Sequence, residues 1–63
     1  MIPLRMLVMW YERKEDFSPD YTKDHTIVFK GNTPYECMDQ FHELQKNQDL
    51  YKYTMPEIVS ISY

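Results

Sequence analysis

The stretch from Leu4 to Arg13, LRMLVMWYER, constrains this chain more than any other. Leu4, Met6, Val8 and Trp10 fall on even positions, and Leu7, Met9 and Tyr11 fill the odd ones after Arg5. A strand covered on one side alternates apolar with polar residues, whereas one apolar on both faces belongs in the middle of a sheet. The run therefore predicts a central strand over residues 4–13. Whatever else the chain folds into must flank that strand and cover its two faces.

There is little left to do so. The chain has 63 residues, room for one domain, and a chain this short removes only about 60% of its unfolded surface from water. One cysteine excludes an intrachain disulfide, and no paired Cys or His motif offers a structural metal. Scaffolds of this size often gain the missing burial by self-association, so a homodimer is expected before any motif is read. At 43% hydrophobic and 16% aromatic residues, the composition is too apolar for disorder.

After the first strand, residues 14–24, KEDFSPDYTKD, carry charges and a Ser-Pro-Asp turn signal and read as a long loop. Residues 25–30, HTIVFK, are rich in β-branched and aromatic side chains and predict a second strand, with Ile27 and Phe29 on one face and Val28 on the other. Gly31 ends it, at a strand-to-helix turn where positive φ is expected. Thr33, Pro34 and Glu36 form a capping box that starts a helix, with Glu36 expected to reach back to the Thr33 amide. Cys37, Phe41 and Leu44, with Met38 beside them, make its inner stripe to about Asn47, which is expected to end it in the left-handed conformation. Residues 49–56 form a connector. Residues 57–62, EIVSIS, alternate and predict a third strand, with Val59 and Ile61 facing one way and Ile58 the other.

The fold expected is α+β: a single ββαβ domain over residues 1–63, with a three-stranded antiparallel sheet in spatial order 2-1-3 and one helix packed on one face. A right-handed crossover through the helix joins strands 2 and 3. The helix is expected to cover Leu4, Met6, Val8, Trp10, Ile27, Phe29, Val59 and Ile61.

Catalytic chemistry finds little support. Cys37 near a helix N-terminus has a dipole that favours thiolate, but it lies on the apolar stripe and His42 points some 140° away around the helix. A small buried core residue is the better reading. His42 with Asp39, and Asp16, Asp20 and Asp24, lack metal-ligand spacing. No phosphate-binding glycine loop or nicotinamide fingerprint is present. No enzyme activity, cofactor or metal is expected.

The aromatic residues are more informative. Six Tyr, three Phe and one Trp exceed what one helix covers, so some are expected at an interface. A helix-free sheet face built from Leu7, Met9, Tyr11, Val28 and Ile58 would be a contiguous apolar patch, and soluble monomers rarely leave a large one open. Its occupant is expected to be a second copy in a two-fold dimer or a protein partner, consistent with interfaces enriched in Tyr, Trp and Met; the alternative cover is the 14–24 loop, through Phe17 and Tyr21. Single-stranded nucleic acid stacked on Tyr11 beside Arg5, Arg13 and Lys30 is the second choice, because the net charge of -3 opposes attraction to a polyanion. The apolar start lacks a signal-peptide cleavage site and no segment is long enough to span a bilayer. With a lone cysteine, this leads to the expectation of a reducing, cytoplasmic setting. In style, an acidic, alanine-free chain rich in Lys, Asn, Tyr and Ile is similar to accessory proteins of bacterial viruses or mobile elements, which bind and modulate host proteins; no residue role follows from that.

Overall fold

The computed structural model describes residues 3–63; the reading of the amino-terminal stretch as lacking a leader takes in Met1 and Ile2, which lie outside them. The elements run β1 (Leu4–Arg13), β2 (Pro19–Gly31), α1 (Pro34–Asn47) and β3 (Glu57–Ser62). The sheet is antiparallel throughout, in order β2-β1-β3. The doubly apolar strand is central, as its pattern requires, because only there does each face gain a neighbour on both sides.

Cross-strand partners share a face. Leu4, Met6, Val8 and Trp10 lie opposite Gly31, Phe29, Ile27 and His25 on the helix side, while Arg5, Leu7, Met9 and Tyr11 lie opposite Lys30, Val28, Thr26 and Asp24 on the other. The core is confined to the first of these. Leu4, Met6, Val8, Cys37 and Phe41 are its buried members, with Trp10, Phe29, Met38 and Leu44 packed around them. The helix sits over β1 and β2, and no Cα of α1 comes within 8 Å of β3. Val59 and Ile61, expected beneath the helix, are therefore about half exposed, at 51% and 47%.

The 14–24 loop is shorter than its sequence suggests. Strand pairing resumes at Pro19 opposite Arg13, which leaves residues 14–18 as the turn. Residues 19–24 lack an apolar alternation because this arm adds nothing to the buried core, with Tyr21 to Asp24 exposed, and backbone pairing with Glu12 and Arg13 holds it instead. Between Tyr11–Asp24 and Glu12–Asp20 the ladder bulges through Tyr21, Thr22 and Lys23. The turn closes through the Phe17 amide donating to the Lys14 carbonyl at 2.9 Å, with Phe17 at φ 68°.

Three local expectations are corrected at the helix ends. Thr33 caps the helix, its Oγ1 accepting from the Glu36 amide at 3.3 Å, but the Glu36 carboxylate accepts from the Asn32 amide at 2.6 Å rather than from Thr33. Gly31 does not have positive φ. It is small because a Cβ there would lie 2.8 Å from Glu36 Cβ and 3.3 Å from the Cys37 amide nitrogen, where the first helical turn crosses the strand end. Asn47 is not left-handed either; the chain leaves α1 through an extended Gln48, whose side chain donates to the Thr54 carbonyl at 3.2 Å and so ties the helix end to the connector.

A candidate interaction surface

On the helix-free face, Leu7, Met9 and Tyr11 form a row along the central strand, with Val28 opposite Leu7 on β2. Leu7, Met9 and Tyr11 are half-buried, the first two flanked by strands on both sides and Tyr11 by β2 and Thr54 of the connector; Val28, on the edge strand, is 48% exposed. Arg5 and Lys30 lie opposite one another at one end of this row and Asp24 closes the other, with Thr26 on one side and Glu57, Ser60 and Ser62 on the other. The result is an apolar strip with a polar border, the anatomy of an interaction patch.

Four of the five residues expected on this face meet there, and Ile58 does not. β3 pairs Ser60 with Leu7 but Ile58 with Val8, so Val59 is an extra residue in the ladder. That bulge reverses the alternation below Ser60 and turns Ile58 to the helix side.

The 14–24 segment covers only one end of the strip. Tyr21 meets Tyr11 edge-on with ring centroids 4.9 Å apart, while Phe17 goes elsewhere and packs on Tyr51 at 6.4 Å. Nor is Arg13 free for a ligand. Its guanidinium donates to the carbonyls of Leu50 and Phe17 at 2.8 Å and of Tyr53 at 3.2 Å, fastening the connector to the hairpin.

Two features escaped the sequence reading. The first is a second exposed apolar area, formed on β3 by Ile58, Val59 and Ile61 where the helix does not reach. The second is a cluster at the far end of the helix side. His25 Nε2 lies 3.1 Å from Glu12 Oε2, stacks on Trp10 with centroids 5.7 Å apart, and meets the Tyr53 ring edge-on at 5.7 Å. The sequence reading placed neither His25 beside Trp10 nor Tyr53 over the pair; the β1–β2 register and the return of the connector bring them together. A shallow cleft of about 370 Å³ also runs between Ile27 and Phe29 of β2 and Gln40, Glu43, Leu44 and Asn47 of α1.

Of the residues considered for chemistry, Cys37, Asp16 and Asp20 are engaged in structure. Cys37 is fully buried, its thiol 3.8 Å from the Leu4 carbonyl, and the exposed His42 ring lies against Phe41. Asp16 accepts from the Ser18 hydroxyl and amide at 2.6 and 3.1 Å, and Asp20 from those of Thr22 at the same distances. The hydroxyl bonds first, then the amide bonds, hold both carboxyls below the ordinary aspartate range. Among the described residues no three His, Cys, Asp or Glu side chains converge as a metal site, and no helix is long and apolar enough to cross a membrane.

No protein-family model matches this chain, and searches of curated proteins and of solved structures likewise return no match.

Proposed function

We propose that this chain is a small protein-interaction module, with the strip of Leu7, Met9, Tyr11 and Val28 as its partner-binding surface. The observation that carries this reading is the one-sided architecture. The single helix covers the opposite face, Tyr21 shields only the Tyr11 end, and Val28 stands open beside Leu7. An apolar centre with Arg5, Lys30 and Asp24 at its ends offers a partner both burial and orientation. A free, buried cysteine supports a reducing, cytoplasmic setting, and the compositional style supports an accessory role that modulates a host protein.

Single-stranded nucleic acid is the second reading, favoured by the neighbouring Arg5 and Lys30 on the same face as Tyr11 and Tyr21. The engagement of Arg13 and the net charge of -3 weigh against it.

Replacing Met9 and Val28 with Lys tests the reading. Both side chains lie outside the core, so the helical and strand signals should persist while capture of a defined protein from nuclease-treated lysate is lost. Capture that survives the double substitution overturns the assignment of the face. Steeply salt-dependent binding of single strands, lost in the same variant, would instead establish the nucleic-acid reading.

A further inference from the structure

Separately from that strip, we infer that the cleft between β2 and α1 holds an extended basic peptide, paired antiparallel with the outer edge of β2 and with one Lys or Arg side chain in the cleft. The backbone pattern fixes which groups are available. In a strand, the N–H and C=O of one residue point to one side and those of the next to the other. Tyr11 meets the connector on the β3 side, its carbonyl accepting from the Thr54 amide and its amide donating to Thr54 Oγ1. Leu7 and Met9 therefore point their backbone groups toward β3 as well, and Met6, Val8 and Trp10 point theirs toward β2. Phe29, Ile27 and His25 lie opposite those three and pair inward, which turns the groups of Thr26 and Val28 outward. The Lys30 carbonyl agrees with this phase, since it accepts from Gln40 Nε2 at 2.8 Å.

The N–H and C=O of Thr26 and Val28 are thus four groups on an edge strand with no partner among the described residues. Pro19 and the bulge through Tyr21, Thr22 and Lys23 blunt only the outer arm of β2, and Gln40 closes the other end. What stays open is a short stretch centred on Ile27, and that stretch borders the cleft.

The cleft selects the side chain. A residue added opposite Ile27 faces the helix side, as Ile27 does, and meets a floor of Ile27, Phe29 and Leu44 in a space of about 370 Å³. The rim is Gln40, Glu43 and Asn47, with no cation among them. Gln40 is engaged by the Lys30 and Glu36 carbonyls. Glu43 has one long bond, 3.4 Å from Asn47 Nδ2 to its Oε1, and no ion-pair partner among the described residues, Lys46 three positions on included. An aliphatic stem with a positive end fits both parts, because Lys and Arg lay their methylenes on apolar surface and keep the charge in water. An acidic side chain would face Glu43, and the net charge of -3 favours a basic partner from a distance. The edge therefore calls for a strand, the floor for a long stem and Glu43 for a cation. Backbone pairing supplies affinity and the cleft supplies selection.

The test is titration of the end-capped peptide Thr-Val-Thr-Lys-Thr-Val-Thr into nitrogen-15-labelled protein at low salt. The Thr26 and Val28 amide signals should move, and their exchange with solvent should slow. Glu in place of the peptide Lys should weaken binding about tenfold, as should Glu43→Lys at its exposed helix position, and combining the two changes should restore it. N-methylation of the two Thr residues flanking the Lys removes the donors to β2 and should abolish binding. Equal binding of the Lys and Glu peptides, binding that survives N-methylation, shifts confined to Leu7, Met9 or β3, or no binding at millimolar peptide would each overturn the inference. Met9→Lys, which alters the strip, should bind the peptide as the wild type does; loss there, with folding intact, overturns a site separate from the strip.

Discussion

Val8→Ala and Val59→Ala remove the same atoms from adjacent strands, and the one-sided core predicts unequal costs. Val8 is 0% exposed, between Ile27 and Ile58 and beneath the helix, whereas Val59 is 51% exposed with no helix above it. Truncating valine to alanine removes the equivalent of two methylenes, about 1.6 kcal/mol where both are buried. Incomplete collapse around the space left at Val8 adds about 1 kcal/mol, for a total of about 2–3 kcal/mol. At Val59 half the transfer term and no cavity remain, so the cost is below about 1 kcal/mol. A domain of 63 residues has a total stability of about 3–9 kcal/mol, so the first change takes a large share of it and the second little. Urea unfolding followed by circular dichroism at low micromolar concentration reads the difference as a shift of midpoint at constant slope. Equal shifts at the two positions would refute a core restricted to β1, β2 and α1.

Gly31→Ala should destabilise by about 1–3 kcal/mol in the same assay, because the added Cβ crowds Glu36 Cβ and a backbone nitrogen of the first helical turn. Phe17→Gly should be neutral or stabilising by about 1 kcal/mol, since it relieves the left-handed conformation of a bulky residue that is itself mostly exposed; thermal unfolding checks it. Asp16 and Asp20 are more acidic folded than unfolded, so their contribution is complete above the unfolded-state pKa and is lost as pH falls through the lower folded-state values. Amide shifts of Ser18 and Thr22 should report that titration below the ordinary aspartate range, and Asp16→Asn and Asp20→Asn should abolish it.

What was legible in the sequence follows from where side chains decide the structure. β1 and α1 carry the buried residues, and their apolar periods set both their identity and their place, central strand and covering helix. The outer arm of β2 owes its extended form to pairing with Glu12 and Arg13, and backbone pairing leaves no apolar trace in residues 19–24. β3 was legible as a strand, and Ile61, Ser60 and Ser62 face as their alternation predicts, but Ile58 does not, because the register is fixed by two distant anchors. At one end, Tyr11 accepts from the Thr54 amide at 2.8 Å and donates to Thr54 Oγ1 at 3.0 Å, and Glu12 bridges to Tyr53. At the other, Met6 lies opposite Ile61 and Leu7 opposite Ser60. Between those anchors the returning chain holds more residues than β1 can oppose, and the surplus is taken up before Glu57 and at Val59. Pure alternation would have set Ile58 on the helix-free face; the bulge sets it opposite Val8 instead. The misplaced residue thus shows how the connector, pinned by Arg13 and Thr54, governs which side of β3 is apolar: the helix side, just where the helix ends its reach. The free edge of β3 and its uncovered isoleucines are one consequence of that register, and the loss of Ile58 from the opposite face, which confines the apolar strip to β1 and Val28, is the other.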